Sequence, residues 1–325
     1  MLPTFSRYRL FIELPNIGWR MYESFFGLRE KPFSLLPDPS FLLMTEKHQR
    51  ALTLLQYGLT SHAGFTVITG EIGSGKTTLI RRLLQEEDPE VTVGLVNNTQ
   101  CDSVDELLRW IAFAFGLDYG GQYHVALYDA FTEFLIQEYA AGRRVVVVID
   151  EAQQLSLELL EQVRMLSNIN ADKVQVVQFI LVGQPSLRDQ LRRPELHQFA
   201  QRIAVDYHLK GLSEDEVIQY VRHRLTHAGG LPELFSEEAC RLIARQSRGI
   251  PRLINTLCDT ALVYAFSGEK GRIDVPLVRE VLRDKADSLA PIGDEEFVPP
   301  PIVTPAQGAG SSDRKKGTIE KLFDR

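Results

Sequence analysis

The stretch Gly70-Glu71-Ile72-Gly73-Ser74-Gly75-Lys76-Thr77 limits what this chain can fold into more than any other. It follows an apolar run, Phe65-Thr66-Val67-Ile68, and precedes a helical pattern, Leu79-Ile80-Arg81-Arg82-Leu83-Leu84. The spacing G-x-x-x-x-G-K-[ST] between a strand and a helix answers the demands of a polyphosphate. Glycines let the backbone turn tightly and aim successive N–H groups at an anion, which also meets the positive end of the next helix. Lys76 is expected to reach the β and γ phosphates, and the Thr77 hydroxyl to sit on Mg²⁺. The alternative is a glycine-rich turn with an incidental Lys-Thr. Nucleotide binding is the first expectation.

Downstream, apolar runs alternate with helical patterns: strands near 91–96, 144–149, 174–182 and 203–208, and helices near 104–115, 128–139 and 157–166. Strands that are continuously apolar and alternate with helices predict a parallel sheet covered on both faces. After Gly211 only helical patterns follow, roughly 214–228, 237–246, 251–266 and 276–285, so a small all-helical lid is expected. Ahead of the loop, Pro32, Pro37 and Pro39 predict an extended path that displays Phe33 and Phe41. A helix then begins near Thr45 as N-cap, burying Leu52, Leu55 and Leu59.

The expected organisation is an N-terminal extension over 1–20, a leader over 21–45, an α/β core over 46–210, the lid over 211–288 and a disordered tail over 289–325. The tail carries Pro299-Pro300-Pro301 and Gly308-Ala309-Gly310-Ser311-Ser312, a composition that buries too little apolar surface to fold alone. Its end, Thr318-Ile319-Glu320-Lys321-Leu322-Phe323, reads as a docking element or as a frayed terminus.

At 325 residues, 44% hydrophobic and 24% charged, the chain is long enough for one large domain and a smaller one. A formal charge of −7 argues against coating nucleic acid, which relies on many Lys and Arg. The pairs Arg81-Arg82, Arg143-Arg144 and Arg192-Arg193 are dispersed and read as solvated faces. Cys101, Cys240 and Cys258 lack C-x-x-C spacing, which suits packing residues in a reducing compartment. No run is long enough to span a bilayer, and residues 1–20 lack the pattern of a signal peptide, so a cytoplasmic location is expected.

The run Val145-Val146-Val147-Val148-Ile149 delivers Asp150 and Glu151 to the C-terminal end of a buried strand. Asp150 is expected to hold Mg²⁺ through its water shell, and Glu151 to polarise a water for attack on the γ phosphate. Capping of the next helix is the alternative use of two acids there. The sequence contains neither the Asn-Lys-x-Asp motif of GTPases nor the Leu-Ser-Gly-Gly-Gln motif of transporter ATPases. The string Asp150-Glu151-Ala152-Gln153 is like a helicase box, but the chain is too short for a second motor domain. His223 and His227 have the i, i+4 spacing of zinc ligands. With Arg222 and Arg224 beside His223 and no third ligand, a solvated lid face is expected instead.

Several further motifs occur together: Met21-Tyr22-Glu23-Ser24-Phe25-Phe26-Gly27-Leu28, Lys31-Pro32-Phe33, Pro37-Asp38-Pro39, His48 and Gln56-Tyr57-Gly58-Leu59. They continue through the phosphate loop to Thr78, Asp150-Glu151-Ala152-Gln153, Arg164-Met165-Leu166-Ser167-Asn168, Leu181-Val182-Gly183-Gln184-Pro185 and Gly249-Ile250-Pro251-Arg252-Leu253-Ile254-Asn255. Over about residues 21–285 this set resembles the AAA+ ATPases of the ExeA or general secretion pathway A group, which includes MshM-like pilus ATPases and ATPases of exopolysaccharide and exosortase loci.

The resemblance implies a P-loop NTPase core of the AAA+, ASCE type. It implies Gly70, Glu71, Ile72, Gly73, Ser74, Gly75, Lys76, Thr77 and Thr78 as the Walker A contacts, and Asp150 and Glu151 as Walker B. Gln184 falls at the sensor 1 position, where many relatives have Asn or Thr; a turn residue before Pro185 is its other reading. Arg252 falls at sensor 2, able to grip a phosphate from the lid, or else is a surface arginine. Arg202 lies in the arginine-finger region, with Arg192 and Arg193 as competitors, which implies a homo-oligomer. His48 and Tyr57-Gly58 would border the adenine, or else pack.

The implied function is ATP hydrolysis with Mg²⁺ that energises or assembles an envelope secretion, pilus or polysaccharide system. Two other classes stay open: a DNA-associated transposition-type adaptor and a nucleotide-gated switch with little turnover. Full-length members carry a membrane span and a peptidoglycan-binding region that these residues lack, so any membrane contact is expected through a partner or the tail.

Overall fold

The computed structural model describes residues 21–36, 38–61, 63–84, 89–97, 101–120, 123–171 and 174–286. The expectations for 1–20, for Pro37 and for 289–325 lie outside the described residues.

The strands are β1 (Phe65–Gly70), β2 (Val91–Val96), β3 (Arg144–Ile149), β4 (Asn170–Ala171), β5 (Val174–Gln175), β6 (Val177–Gly183) and β7 (Ile203–Leu209). Five form a sheet of order β2-β3-β6-β1-β7, every pair parallel. The expected strand over 174–182 is divided: β5 pairs antiparallel with β4 as a small hairpin, and β6 begins after Val176. Because β6 lies between β1 and β3, the residue after β6 emerges between the residues after its two neighbours.

The helices are α1 (Tyr22–Phe25), α2 (Glu46–Thr60), α3 (Lys76–Leu84), α4 (Val104–Ala114), α5 (His124–Ala140), α6 (Leu157–Leu166), α7 (Pro185–Leu191), α8 (His197–Ala200), α9 (Glu214–His227), α10 (Glu237–Ser247), α11 (Pro251–Ser267) and α12 (Val275–Ala286). Side chains alternate along each strand, so each strand contributes to two cores. Phe65, Val67, Val145, Val147, Ile149, Phe179 and Leu181 pack with α4 to α8. Ile68, Val146, Val148, Ile180 and Val182 pack with Leu52 and Leu55 of α2 and Leu79, Ile80 and Leu83 of α3. Both faces are therefore apolar, which is why these strands read as unbroken apolar runs.

A third core joins the leader to the C-terminal helices: Tyr22, Leu28, Phe33 and Phe41 cluster with residues of α9 to α12. Phe33 and Phe41 are 1% and 4% exposed, so the prolines do not display them; the helical section supplies the apolar surface that buries them. The face of His223 and His227 is only partly solvated, both rings being half-buried. Arg224 is 6% exposed, and His227 meets the Phe41 ring edge-on at 4.3 Å. Among the described residues no group of three His, Cys, Asp or Glu gathers as a metal site. The three cysteines are buried, and none forms a disulfide.

Candidate nucleotide site

The phosphate loop begins where β1 ends and closes where α3 starts at Lys76. Gly73 and Gly75 have φ of +79° and +99°, values that side-chain-bearing residues rarely adopt. Gly70 has no room for a side chain: a Cβ there would lie 2.7 Å from the Leu209 carbonyl oxygen and 2.8 Å from Ser74 Oγ. Lys76 is buried and donates to the carbonyl oxygens of Gly70 at 2.8 Å and Glu71 at 3.0 Å. Burial holds its ammonium below the ordinary range, opposed by the carboxylates of Glu151, Asp150 and Glu71. Ser74 Oγ is buried in the loop with no hydrogen-bond partner. A desolvated cation, an orphaned hydroxyl and a backbone path open only to glycine fit a bound polyphosphate.

Next to the loop, the Thr77 hydroxyl donates to Asp150 Oδ2 at 2.9 Å. Asp150 is anchored at the tip of β3: its N–H donates to the Val96 carbonyl, and its Oδ1 accepts from the Glu151 N–H at 2.9 Å. Thr77 and Asp150 thus present oxygens together, the ligand type Mg²⁺ takes. Glu151 stands in the left-handed region at φ 54°, ψ 35°, an uncommon conformation for a residue with a Cβ. Its Oε2 accepts from Gln153 Nε2 at 2.6 Å and from Gln184 Nε2 at 3.2 Å. Gln184 lies at the tip of β6, as its place between β1 and β3 requires, and is also the residue before helix α7.

Facing these groups across a cavity of about 360 Å³ are leader residues such as Leu35, Phe41 and Leu43, with Tyr220, Arg224, Arg252 and Asn255 of the helical section. Arg252 lines the cavity in the first turn of α11, and its N–H donates to the Gly73 carbonyl at 3.3 Å. The approach is so close that a Cβ on Gly73 would lie 2.3 Å from Arg252 Cβ. His48 also lines the cavity. Thr45, whose backbone occupies the N-cap position, spends its hydroxyl on His48 Nδ1 at 2.8 Å rather than on the helix. Burial lowers the His48 pKa.

Tyr57 and Gly58 lie apart from the cavity. Tyr57 is 59% exposed, and Gly58 packs so tightly on β1 that a Cβ would meet the Thr66 hydroxyl, so their pattern serves the α2–β1 contact. Arg202 precedes β7 at the N-terminal end of the strands, opposite to the phosphate loop; it is exposed and donates to Ser167 Oγ at 3.1 Å. Arg192 and Arg193 are exposed as well.

Two residues carry more than their motifs suggested. Gln153, quoted only as part of Asp150-Glu151-Ala152-Gln153, holds the Glu151 carboxylate. Arg224 is the centre of a buried network: Nε donates to the Pro32 carbonyl at 2.5 Å, Nη1 to Tyr220 Oη at 2.7 Å, and Tyr220 Oη to Asn255 Oδ1 at 2.8 Å. Its guanidinium also lies 4.7 Å from the Phe41 ring centre. The aromatic spacing in the leader was the available signal for Phe41; for Arg224, whose partners are up to 192 residues away, the sequence held none.

Residues 59–191 match the AAA domain family. General secretion pathway protein A of Aeromonas hydrophila is 45% identical over 248 residues, which are 76% of this chain and 45% of that protein. An uncharacterised HTH-type transcriptional regulator of Methanocaldococcus jannaschii is 28% identical over 46% of this chain and 37% of its own length. The chain thus spans less than half of either relative. Among solved structures, Cdc6p of Pyrobaculum aerophilum superposes with a TM-score of 0.62 at 16% identity, covering 78% of this chain and 70% of that one. The ORC2 protein of Aeropyrum pernix, in ADPNP–ADP complexes, gives 0.59 at 20% identity, covering 78% and 71%. At such identities the likeness concerns the fold alone. With its phosphate loop, its strand order and its match to the AAA domain over residues 59–191, the chain has a P-loop NTPase core of the AAA+ type and is similar to general secretion pathway protein A over three quarters of its length.

Proposed function

We propose that the chain hydrolyses ATP, with Gly70–Thr78 holding the phosphates, Thr77 and Asp150 holding Mg²⁺, and Glu151 acting on the attacking water. The observation that carries this reading is the Glu151 carboxylate, fixed by two amides beside the Thr77–Asp150 pair. When bound, Mg²⁺ supplies positive charge to the phosphate oxygens. The water oxygen bonds to the γ phosphorus while the bond to the β–γ bridging oxygen breaks. Glu151 accepts the water proton, and the electron pair leaves with the β phosphate. Gln184 orients the water or the γ phosphate, and Arg252 contacts the phosphates from the helical lid. His48 and the leader flank the base.

In this reading the leader spans 21–45, the core 46–210 and the lid 211–288. Arg202, remote from its own loop, completes the site of a neighbouring copy in a homo-oligomer. No helix among the described residues is long and apolar enough to cross a membrane. The similarity to general secretion pathway protein A supports a role, on the cytoplasmic side, in energising or assembling an envelope secretion, pilus or polysaccharide system. Lys76→Ala is expected to lower Mg-ATP turnover at least about 100-fold, because it removes a buried cation aimed at the loop. Turnover unchanged in that variant overturns the assignment. Oligomerisation on ATP binding, with no release of phosphate by the parent protein, favours a switch over a motor.

A further inference from the structure

Gln153 occupies the short turn of 3-10 helix over Ala152–Gln154 and touches both tips that flank the γ-phosphate region. Its Oε1 accepts the backbone N–H of Gln184 at 3.0 Å, and its Nε2 donates to Glu151 Oε2 at 2.6 Å. The two ends of the amide cannot be exchanged: a backbone N–H is only a donor, so the oxygen must face Gln184 and the nitrogen Glu151. The Gln153 carbonyl in turn accepts from Gln190 Nε2 of α7 at 3.1 Å. Space is allotted for this bridge, because a side chain at Gly183 would bring a Cβ to 3.0 Å from Gln153 Oε1.

Glu151 itself stands in the left-handed region, which residues with a Cβ adopt uncommonly, and its side chain is directed by the amides that receive it. We propose that Gln153 is a positioning residue that ties the Glu151 carboxylate to the tip of β6, so that a shift of Gln184 toward a phosphate moves Glu151 with it. The motion of the sensing strand reaches the carboxylate through Gln153 as well as through the direct Gln184 contact, without passing through the nucleotide. This rests on the reading of Glu151 as the residue that acts on water.

The test uses the full chain with Gln153→Ala and Gln153→Glu. The alanine variant removes both contacts. The glutamate variant has the same size and keeps an acceptor for the Gln184 N–H, but sets an oxygen against Glu151. Both are expected to lower kcat about 10- to 100-fold, the scale of a misplaced reacting group, while the Kd for Mg-ATP stays within about twofold. A role in packing alone would lower the melting temperature without that split. If Lys76→Ala abolishes turnover and both Gln153 variants turn over like the parent, the tie is overturned and the ATPase reading stands.

If the parent releases no phosphate, the ATPase reading fails by itself, and amide exchange decides about Gln153. Exchange of the peptide over 183–190 is then compared with Mg-ADP and with the non-hydrolysable analogue adenylyl imidodiphosphate. The expected result is greater protection with the analogue in the parent and loss of that difference in Gln153→Ala. The same difference in both proteins, or none in the parent, overturns the tie.

Discussion

On the sheet side of the cavity the facing groups are backbone atoms and side chains set by strand ends, whereas on the helical side they are long side chains held by one another. Lys76, Thr77, Asp150 and Glu151 each sit within two residues of the end of β1 or β3 or at the first turn of α3. Arg224, Tyr220 and Asn255 have no such anchor; they are fixed by hydrogen bonds to the leader and among themselves. The difference teaches which half tolerates change. A wall made of backbone is robust to distant substitution but not to an added Cβ, while a wall of linked side chains fails at any one link.

The largest effect on that contrast is expected from Arg224→Leu. It leaves the Pro32 carbonyl and the Tyr220 hydroxyl short of a partner, which costs about 2 kcal/mol of folding stability and detaches the leader. Urea unfolding and Mg-ATP titration of the same protein check both consequences. Unchanged stability with weakened nucleotide binding would make Arg224 a ligand contact rather than a structural link.

Gly73→Ala comes next, because the two walls touch there: the new Cβ meets Arg252 and stands at φ +79°. It is expected to weaken Mg-ATP binding about tenfold, equal to ~1.4 kcal/mol, with a smaller effect on unfolding. An Mg-ATP titration that returns the parent's affinity would show that the close contact of the two walls at Gly73 is not needed for binding.

The smallest effect is electrostatic. His48 lies in the cavity with its pKa lowered by burial, so the folded protein binds its proton less readily than the unfolded chain. Its contribution to stability is full above the unfolded value, near 6.5, and declines as the pH falls below that. His48→Gln is expected to flatten this part of the curve of melting temperature against pH between 5 and 7. An identical slope in both proteins would place the titration elsewhere.

The same division explains what the sequence disclosed. The apolar runs at 65–68 and 145–149, the glycines of the loop and the two carboxylates after β3 are legible because their causes lie within a few residues. Helix α7 is short and begins at a proline, and the break between β5 and β6 falls inside an apolar run, so neither leaves a periodic trace. The burial of Phe33, Phe41 and Arg224 depends on segments nearly two hundred residues apart, and a charged helix face then reads as solvated. The place of Gln184 at the tip of β6 is legible by resemblance. Gln153 stood inside a recognised motif, but its task required knowing that β6 inserts beside β3.

The central claim, that Glu151 acts on water in a site that binds ATP without it, is tested most directly by single turnover. The parent and Glu151→Gln proteins, in excess over labelled Mg-ATP, are quenched over time and assayed for ADP. The account predicts that both bind the nucleotide with similar affinity, while conversion to ADP slows about 100- to 1,000-fold in the variant. Equal rates of conversion in the two proteins would contradict it.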